Sequence, residues 1–535
     1  MHTQKPKNTK MRLSAWMTAA CLLLSACSQG AGSGTTGGAT AGGSQTADAG
    51  RIYVVRQTEA VRSSGGPAGF TLYRQGAEPQ FLRTDANLYD HSADRTSMVF
   101  LCVLNFNGAL AGTLHHFYQG NDFTRADVYV GKGSECIGIS ADGSTTFFCT
   151  AELPGKDIYL FRNGKEEKID HTDETFAGCL SGNGKFFLYT VEKDGLFRLM
   201  LYDGSESREI AAEADSLAPL FVSDDGARLY YGLADIFAQE MPVFYLEKGK
   251  QAQLFKDVNT FFVYCFLNED GSEFVYHDGT KLNFVKNGEL RWEMPSSEPC
   301  QLYGPEGIPM FFNNMLGRPA VYQTETLADL IFYSSDGHIF FFPDNGNVDT
   351  VTLTTEQMHP GRIWLRNDGK DLYYHTAAGV FRIRDYREAS YRPADATVMP
   401  DVPECLLEKA VDSFNVSADG EALCYSQELK LYYLDLQTGK ESLLTENTWL
   451  DSDRAFSDVG YKYRFFGDTK RVFFFEEEQC YVSDGGAAPE PVEGVTGKCD
   501  SVNYTADGVL NIRTDKGNYF SMDGETFIPV TAEAK

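Results

Sequence analysis

The chain has 535 residues and a formal net charge of −28, set by 47 Lys and Arg against 75 Asp and Glu. That length suits one large or two medium domains. A surface this acidic repels phosphate backbones, so nucleic acid is excluded as an expected partner.

Residues 1–26 differ from everything after them. Lys5, Lys7, Lys10 and Arg12 stand before an apolar run, residues 13–24, and no acid occurs among them. The run is too short for a stable membrane span. It ends in Leu24-Ser25-Ala26-Cys27. These four residues resemble the lipobox of bacterial lipoproteins, Leu-[Ala/Ser]-[Gly/Ala]-Cys, at every position. The resemblance implies that residues 1–26 are a signal peptide and that Cys27 carries a diacylglycerol. It also implies an extracytoplasmic protein held to a bacterial membrane, at the cell surface or on the periplasmic side. Residues 27–50 are rich in Gly, Ser, Thr and Ala and have no side chain large enough to build a core. They read as a flexible tether.

From Arg51 onward the chain is short strands and tight turns. Residues 414–446, FNVSADGEALCYSQELKLYYLDLQTGKESLLTE, show the unit. Four strands are separated by a Ser-Ala-Asp-Gly turn, a link, and a Gln-Thr-Gly-Lys turn. Asp favours such turns through its side-chain oxygen, and Gly supplies positive φ. The first turn recurs at Ser140, Ser181, Ser223, Asn268, Arg366, Ser417 and Thr505. The early spacings are 41, 42 and 45 residues. Four short antiparallel strands in about 40 residues, repeated, mark a β-propeller blade. Doubled aromatics such as FFLY, FFVY and FFFE suit strands buried on both faces. The expected fold is all-β, a propeller of ten or eleven four-stranded repeats.

The strand-SxDG-strand pattern resembles the WD40-like repeats of the TolB and prolyl-peptidase propellers. Ten or eleven blades exceed the four to eight usual in one ring. Two consecutive propellers are therefore expected, residues 51–294 and 295–535, with the Pro-rich segment 295–309 as the seam. One large ring is the alternative.

No nucleophile elbow, P-loop, HExxH or dinucleotide fingerprint occurs. No catalytic residue, metal site or cofactor is therefore assigned. His115 and His116 are neighbours on a strand and point to opposite faces, so they cannot share a metal. Ten cysteines follow the leader and lipobox residues, several inside apolar strands, where thiols behave as small buried hydrophobes. The expected function is a non-catalytic binding module for a protein, peptide or glycan. The alternative is a carbohydrate-active lyase or hydrolase using carboxylates and His in the channel.

Loop lengths suggest where a partner binds. Naming the strands of a blade A to D, the A–B and C–D turns lie at one end and the B–C and D–A links at the other. Long B–C links are expected at 105–113, 232–241 and 313–329, and long D–A links at 388–412 and 447–460. Exposed candidates on them are Phe237, Asn314, Arg318, Tyr391, Trp449, Asp451 and Arg454.

Overall fold

The computed structural model describes residues 51–295 and 403–529 apart from short connections, the longest being 57–68, 105–110, 131–136, 234–239 and 448–462. Between 296 and 402 it describes 301–303, 320–321, 327, 331–333, 339–341, 351–352, 363–366 and 370–385.

These residues form eleven sheets that follow one another along the chain. Nine have four strands, the sixth has five and the first has three. Within each four-stranded sheet every strand pairs antiparallel with the one before it. This is the up-and-down blade, and the fold is an all-β propeller. The ninth sheet realises the sequence unit: Ser413–Val416, Ala422–Gln427, Lys430–Asp435 and Glu441–Thr445. Its register runs Phe414↔Tyr425, Tyr425↔Tyr432 and Tyr432↔Leu443. No helix among the described residues is long and apolar enough to cross a membrane.

Second strands are buried on both faces because each sheet packs between two others. In the ninth sheet, Leu423 and Tyr425 meet Trp364 and Tyr373 of the eighth. Ala422 and Cys424 on the opposite face meet Tyr463 and Phe465 of the tenth. Alternation in space is thus real, but both faces are apolar, so the sequence shows a continuous run. Buried thiols serve as small packing residues here: Cys149, Cys179, Cys424, Cys480 and Cys499 are all buried.

The first sheet consists of β1 (Ile52–Arg56), β2 (Gly69–Arg74) and β3 (Gln80–Arg83). One face packs on the second sheet, with Ile52, Phe70 and Leu72 against Met98, Phe100 and Phe117. The other face packs on the eleventh, with Tyr53 and Tyr73 against Val509 and Phe520. The Tyr73 and Phe520 ring centroids lie 3.7 Å apart.

Two contacts also cross the 294/295 boundary. Ala320 and Val321 pair parallel with Phe266 and Leu267 on the sixth sheet. The Leu327 N–H donates to the buried Glu273 carboxylate, which also pairs with Lys286 at 2.9 Å.

Candidate functional site

The two ends of the blades are built differently, and the SxDG turn explains why. In the third sheet Ser140 Oγ donates to Asp142 Oδ1 (2.6 Å) and accepts from the Thr145 N–H (3.1 Å). Asp142 Oδ1 also accepts from the Ser144 N–H. Ser92, Ser181, Ser223 and Ser417 make the same pair of bonds in their sheets. Asn268 replaces Ser in the sixth, donating to Asp270 and accepting from the Glu273 N–H. Each of these residues is almost wholly buried. A buried N–H left without an acceptor costs roughly 1–3 kcal/mol, which explains the repeated Ser. The Ser223 hydroxyl in turn holds the Asp225 carboxyl below its ordinary value.

The turns are also linked sheet to sheet. The Ala93 N–H donates to Ala141 O, Asp142 N–H to Gly182 O, and Asn183 N–H to Asp224 Oδ1. Side chains from one sheet clasp the turn glycine of the next: His116 to Gly143 O, Arg162 to Gly184 O, Tyr230 to Gly271 O and Tyr373 to Gly420 O, at 2.9 to 3.1 Å. No sequence signal marks these donors, since His, Arg and Tyr serve interchangeably. Among the described residues, the end bearing the SxDG turns is a network with structural partners throughout.

The opposite end holds the B–C and D–A links. D–A links run from three residues (173–175) to seventeen (446–462). By sequence position Phe237 falls in the B–C link 234–239, and Trp449, Asp451 and Arg454 fall in the D–A link 446–462. In the seventh sheet strand A is Gln301–Tyr303 and strand B is Ile331–Tyr333. Residues 304–330 are therefore an A–B connection rather than a B–C link. In the eighth sheet strand C is Gly379–Ile383 and strand D is Glu404–Leu407. Residues 384–403 are thus a C–D connection rather than part of a D–A link. The expected links at 313–329 and 388–412 are corrected accordingly. Each error came from taking an apolar triplet or a polar gap for the wrong strand boundary. Cys27 and all seven binding candidates lie outside the described residues.

The described part of the variable end carries a charged cluster on the third and fourth sheets. Asp157 accepts from Lys168 Nζ (2.6 Å) and His171 Nδ1 (2.8 Å). These bonds, Lys168 first, hold the Asp157 carboxyl below its ordinary value. Beside it Asp170 accepts from Lys193 Nζ (2.8 Å) and the Tyr189 hydroxyl (3.1 Å). The arrangement sets the His171 ring with Nδ1–H toward Asp157 and Nε2 over Gly155, where a Cβ would lie 2.4 Å from it. It offers polar recognition and no positioned nucleophile.

The carboxylate and cation on two first strands have structural partners. Asp90 Oδ2 accepts from the Ile139 N–H (3.2 Å) of the next sheet. Arg366 donates to Val416 O and Ser417 O, and the Trp364 indole donates to Phe414 O. His115 bonds Asp122 while His116 points the other way to Gly143 O, as the strand period requires. Among the described residues no three His, Cys, Asp or Glu side chains stand together as a metal site.

No protein-family model matches the chain, and no curated protein matches it. Among solved structures it is similar to the β-propeller domain of the Trilobed protease from Pyrococcus furiosus, at 12% identity over 68% of this chain and 98% of that one, TM-score 0.30. It is similar to TolB from Acinetobacter baumannii at 14% identity over 55% and 72%, TM-score 0.29. It is similar to the Niastella koreensis GH74 enzyme at 11% identity over 87% and 89%, TM-score 0.28. These are low-identity likenesses in fold, and the propeller assignment rests on the sheets themselves.

Proposed function

We propose that this chain is a non-catalytic binding propeller, held outside the cytoplasm by a lipid on Cys27 and spaced from the membrane by residues 28–50. Its partner, a protein, peptide or glycan, docks at the end formed by the B–C and D–A links. Phe237, Trp449, Asp451 and Arg454 are the contact residues proposed there, with the His171–Asp157 cluster on the same end. The observation that carries this reading is the contrast between the ends. SxDG turns bond sheet to sheet, while the D–A links run from three to seventeen residues; 304–330 and 384–403 are long exceptions of A–B and C–D type. Binding residues gather on loops that a rigid scaffold positions. Asn314, Arg318 and Tyr391 fall in connections of the A–B and C–D type and are not proposed as contacts.

A glycan array and a peptide array probed with the full chain supply the ligand. Shortening residues 447–460 then weakens binding at least tenfold, while replacing the Ser417 turn with Asn-Gly changes only stability. Loss of binding from the turn replacement alone, in a folded protein, overturns the assignment. Metabolic labelling with a tagged fatty acid tests the anchor. Label that persists in Cys27→Ala removes Cys27 from it.

A further inference from the structure

Two of the buried thiols share one core. Cys480 lies on Gln479–Asp484, strand C of the tenth sheet, and Cys499 opens Cys499–Tyr504, strand A of the eleventh. Cys480 pairs with Phe475, and both turn to the face that meets the eleventh sheet, beside Phe473. Tyr481, next along the strand, turns to the ninth. Cys499 turns back toward the tenth sheet and joins the same core with Val502 and Tyr519. The side chains of Cys480 and Cys499 are hydrogen-bonded to one another. Among the described residues, the buried Cys149, Cys179 and Cys424 each lie in a different core between sheets.

Strand order gives the reason for the meeting. Cys480 stands near the start of strand C, just after a B–C link, and Cys499 at the start of strand A, just after a D–A link. Both kinds of link lie at the same end of a blade, so facing sheets bring the two starts side by side. The backbone is held beside each thiol. Cys480 O accepts from the Val492 N–H at 3.0 Å. The Lys498 N–H donates to Asp515 Oδ1 at 2.6 Å, and Lys498 O accepts from the Asp515 N–H at 3.0 Å.

We propose that Cys480 and Cys499 are a disulfide site that braces the tenth sheet to the eleventh at the end carrying the B–C and D–A links. The oxidant is a small-molecule or protein-borne disulfide. One cysteine thiolate attacks a sulfur of that disulfide, forming a mixed disulfide and releasing one thiol. The other cysteine thiolate then attacks the first cysteine's sulfur, closing the Cys480–Cys499 bond and releasing the second thiol. The two cysteine protons end on the two released thiols, and two electrons pass from the cysteine sulfurs to the oxidant. Burial sets the timing. The hydrogen bond with Cys499, together with burial, holds the Cys480 thiol well above its ordinary value. A buried, protonated thiol is a poor nucleophile. The exchange therefore belongs to folding, before the two sheets close on one another. The bond needs neither the lipid on Cys27 nor a ligand at the loop end.

The full chain is unfolded in urea with reductant, then refolded either in mixed oxidised and reduced glutathione or in dithiothreitol. Trypsin cuts after Arg471, Lys498 and Arg513, so the two cysteines fall in separate peptides, 472–498 and 499–513. Mass spectrometry of the unreduced digest is expected to find these peptides joined after glutathione and separate after dithiothreitol. The oxidised chain is expected to unfold at a urea concentration about 0.5–1 M higher than the reduced chain, because the cross-link restricts the unfolded state. Cys480→Ala combined with Cys499→Ala removes that shift, whereas Cys405→Ala, at an exposed thiol, keeps it. The peptide readout needs no variant, so it stands even where the double substitution fails to fold. Peptides that stay separate in the refolded, oxidised chain overturn the proposal, as does preferential joining of either one to another cysteine. Joined peptides without a rise in the urea midpoint overturn it too, since the bond would then brace nothing.

Discussion

At the scale of single residues, identity is dictated by the hydrogen bond to be made rather than by chemistry to be performed. His116 shows this best. It is fully buried among Tyr118, Phe123 and Phe161, and its Nε2–H donates to Gly143 O at 2.9 Å. Its Nδ1 is buried with no hydrogen-bond partner. Protonation would place a second N–H there without an acceptor, so burial lowers the His116 pKa below 6.5, against the opposing pull of the Gly143 carbonyl and the Asp122 charge. The sign follows: below pH 6.5 the unfolded chain binds the proton and the folded one does not. Stability contributed by a neutral His116 is therefore present above pH 6.5 and is lost as pH falls from there through the lower folded-state value. His116→Gln keeps a donor for Gly143 and does not titrate. Urea unfolding between pH 7 and 5 is expected to show a shallower decline in H116Q than in wild type, and equal slopes would disprove the role. Little of this was legible beforehand. The strand period separated His115 from His116, but no sequence rule says that the carbonyl facing His116 belongs to a turn 27 residues away.

At the scale of elements, turn chemistry was the readable part and strand boundaries in sparse segments were not. The SxDG turns appear where Ser, Asp and Gly recur, since each of the three residues has its own fixed task. The seventh and eighth sheets were misdivided because 304–330 and 384–403 supply no such punctuation, and apolar triplets alone do not reveal which strand they are. The glycines also separate two demands that the sequence presents as one. Gly226 has φ +65°, and a Cβ there would lie 2.4 Å from the Phe186 ring of the preceding sheet. Gly439 has φ +68° and would meet nothing within 4 Å. Gly439→Ala should thus cost only the left-handed backbone penalty, about 1–2 kcal/mol. Gly226→Ala adds displacement of a packed aromatic ring, for a total of about 2–5 kcal/mol. Denaturant titration of the two variants compares them directly. Equal losses would mean that the Phe186 contact places no constraint on the turn.

At the scale of the whole molecule, the repeat count was legible because each blade is a local unit, whereas the way the blades meet was not. Contacts between sheets join residues with no sequence relation, and the largest separation belongs to the pair between the first sheet and the eleventh. Tyr73 is 3% exposed and Phe520 fully buried, with ring centroids 3.7 Å apart. Burial pushes the Tyr73 hydroxyl up to about 12, so it stays protonated at any ordinary pH. Replacing a buried Phe with Ala costs about 3–5 kcal/mol through lost contacts and the cavity left behind. For Phe520 that loss falls on a contact between the ends of the described chain, so it should be felt in both sheets. Phe520→Ala is expected to raise amide hydrogen exchange in residues 52–83 as well as in 499–529, while leaving 176–213, several sheets away, near wild type. The cavity also vacates the ring that Tyr73 packs on. Tyr73→Ala and Phe520→Ala together should then cost less than the sum of the two alone, by about 0.5–3 kcal/mol. Unchanged exchange in residues 52–83, or strictly additive losses, would show that the first and last sheets do not hold one another.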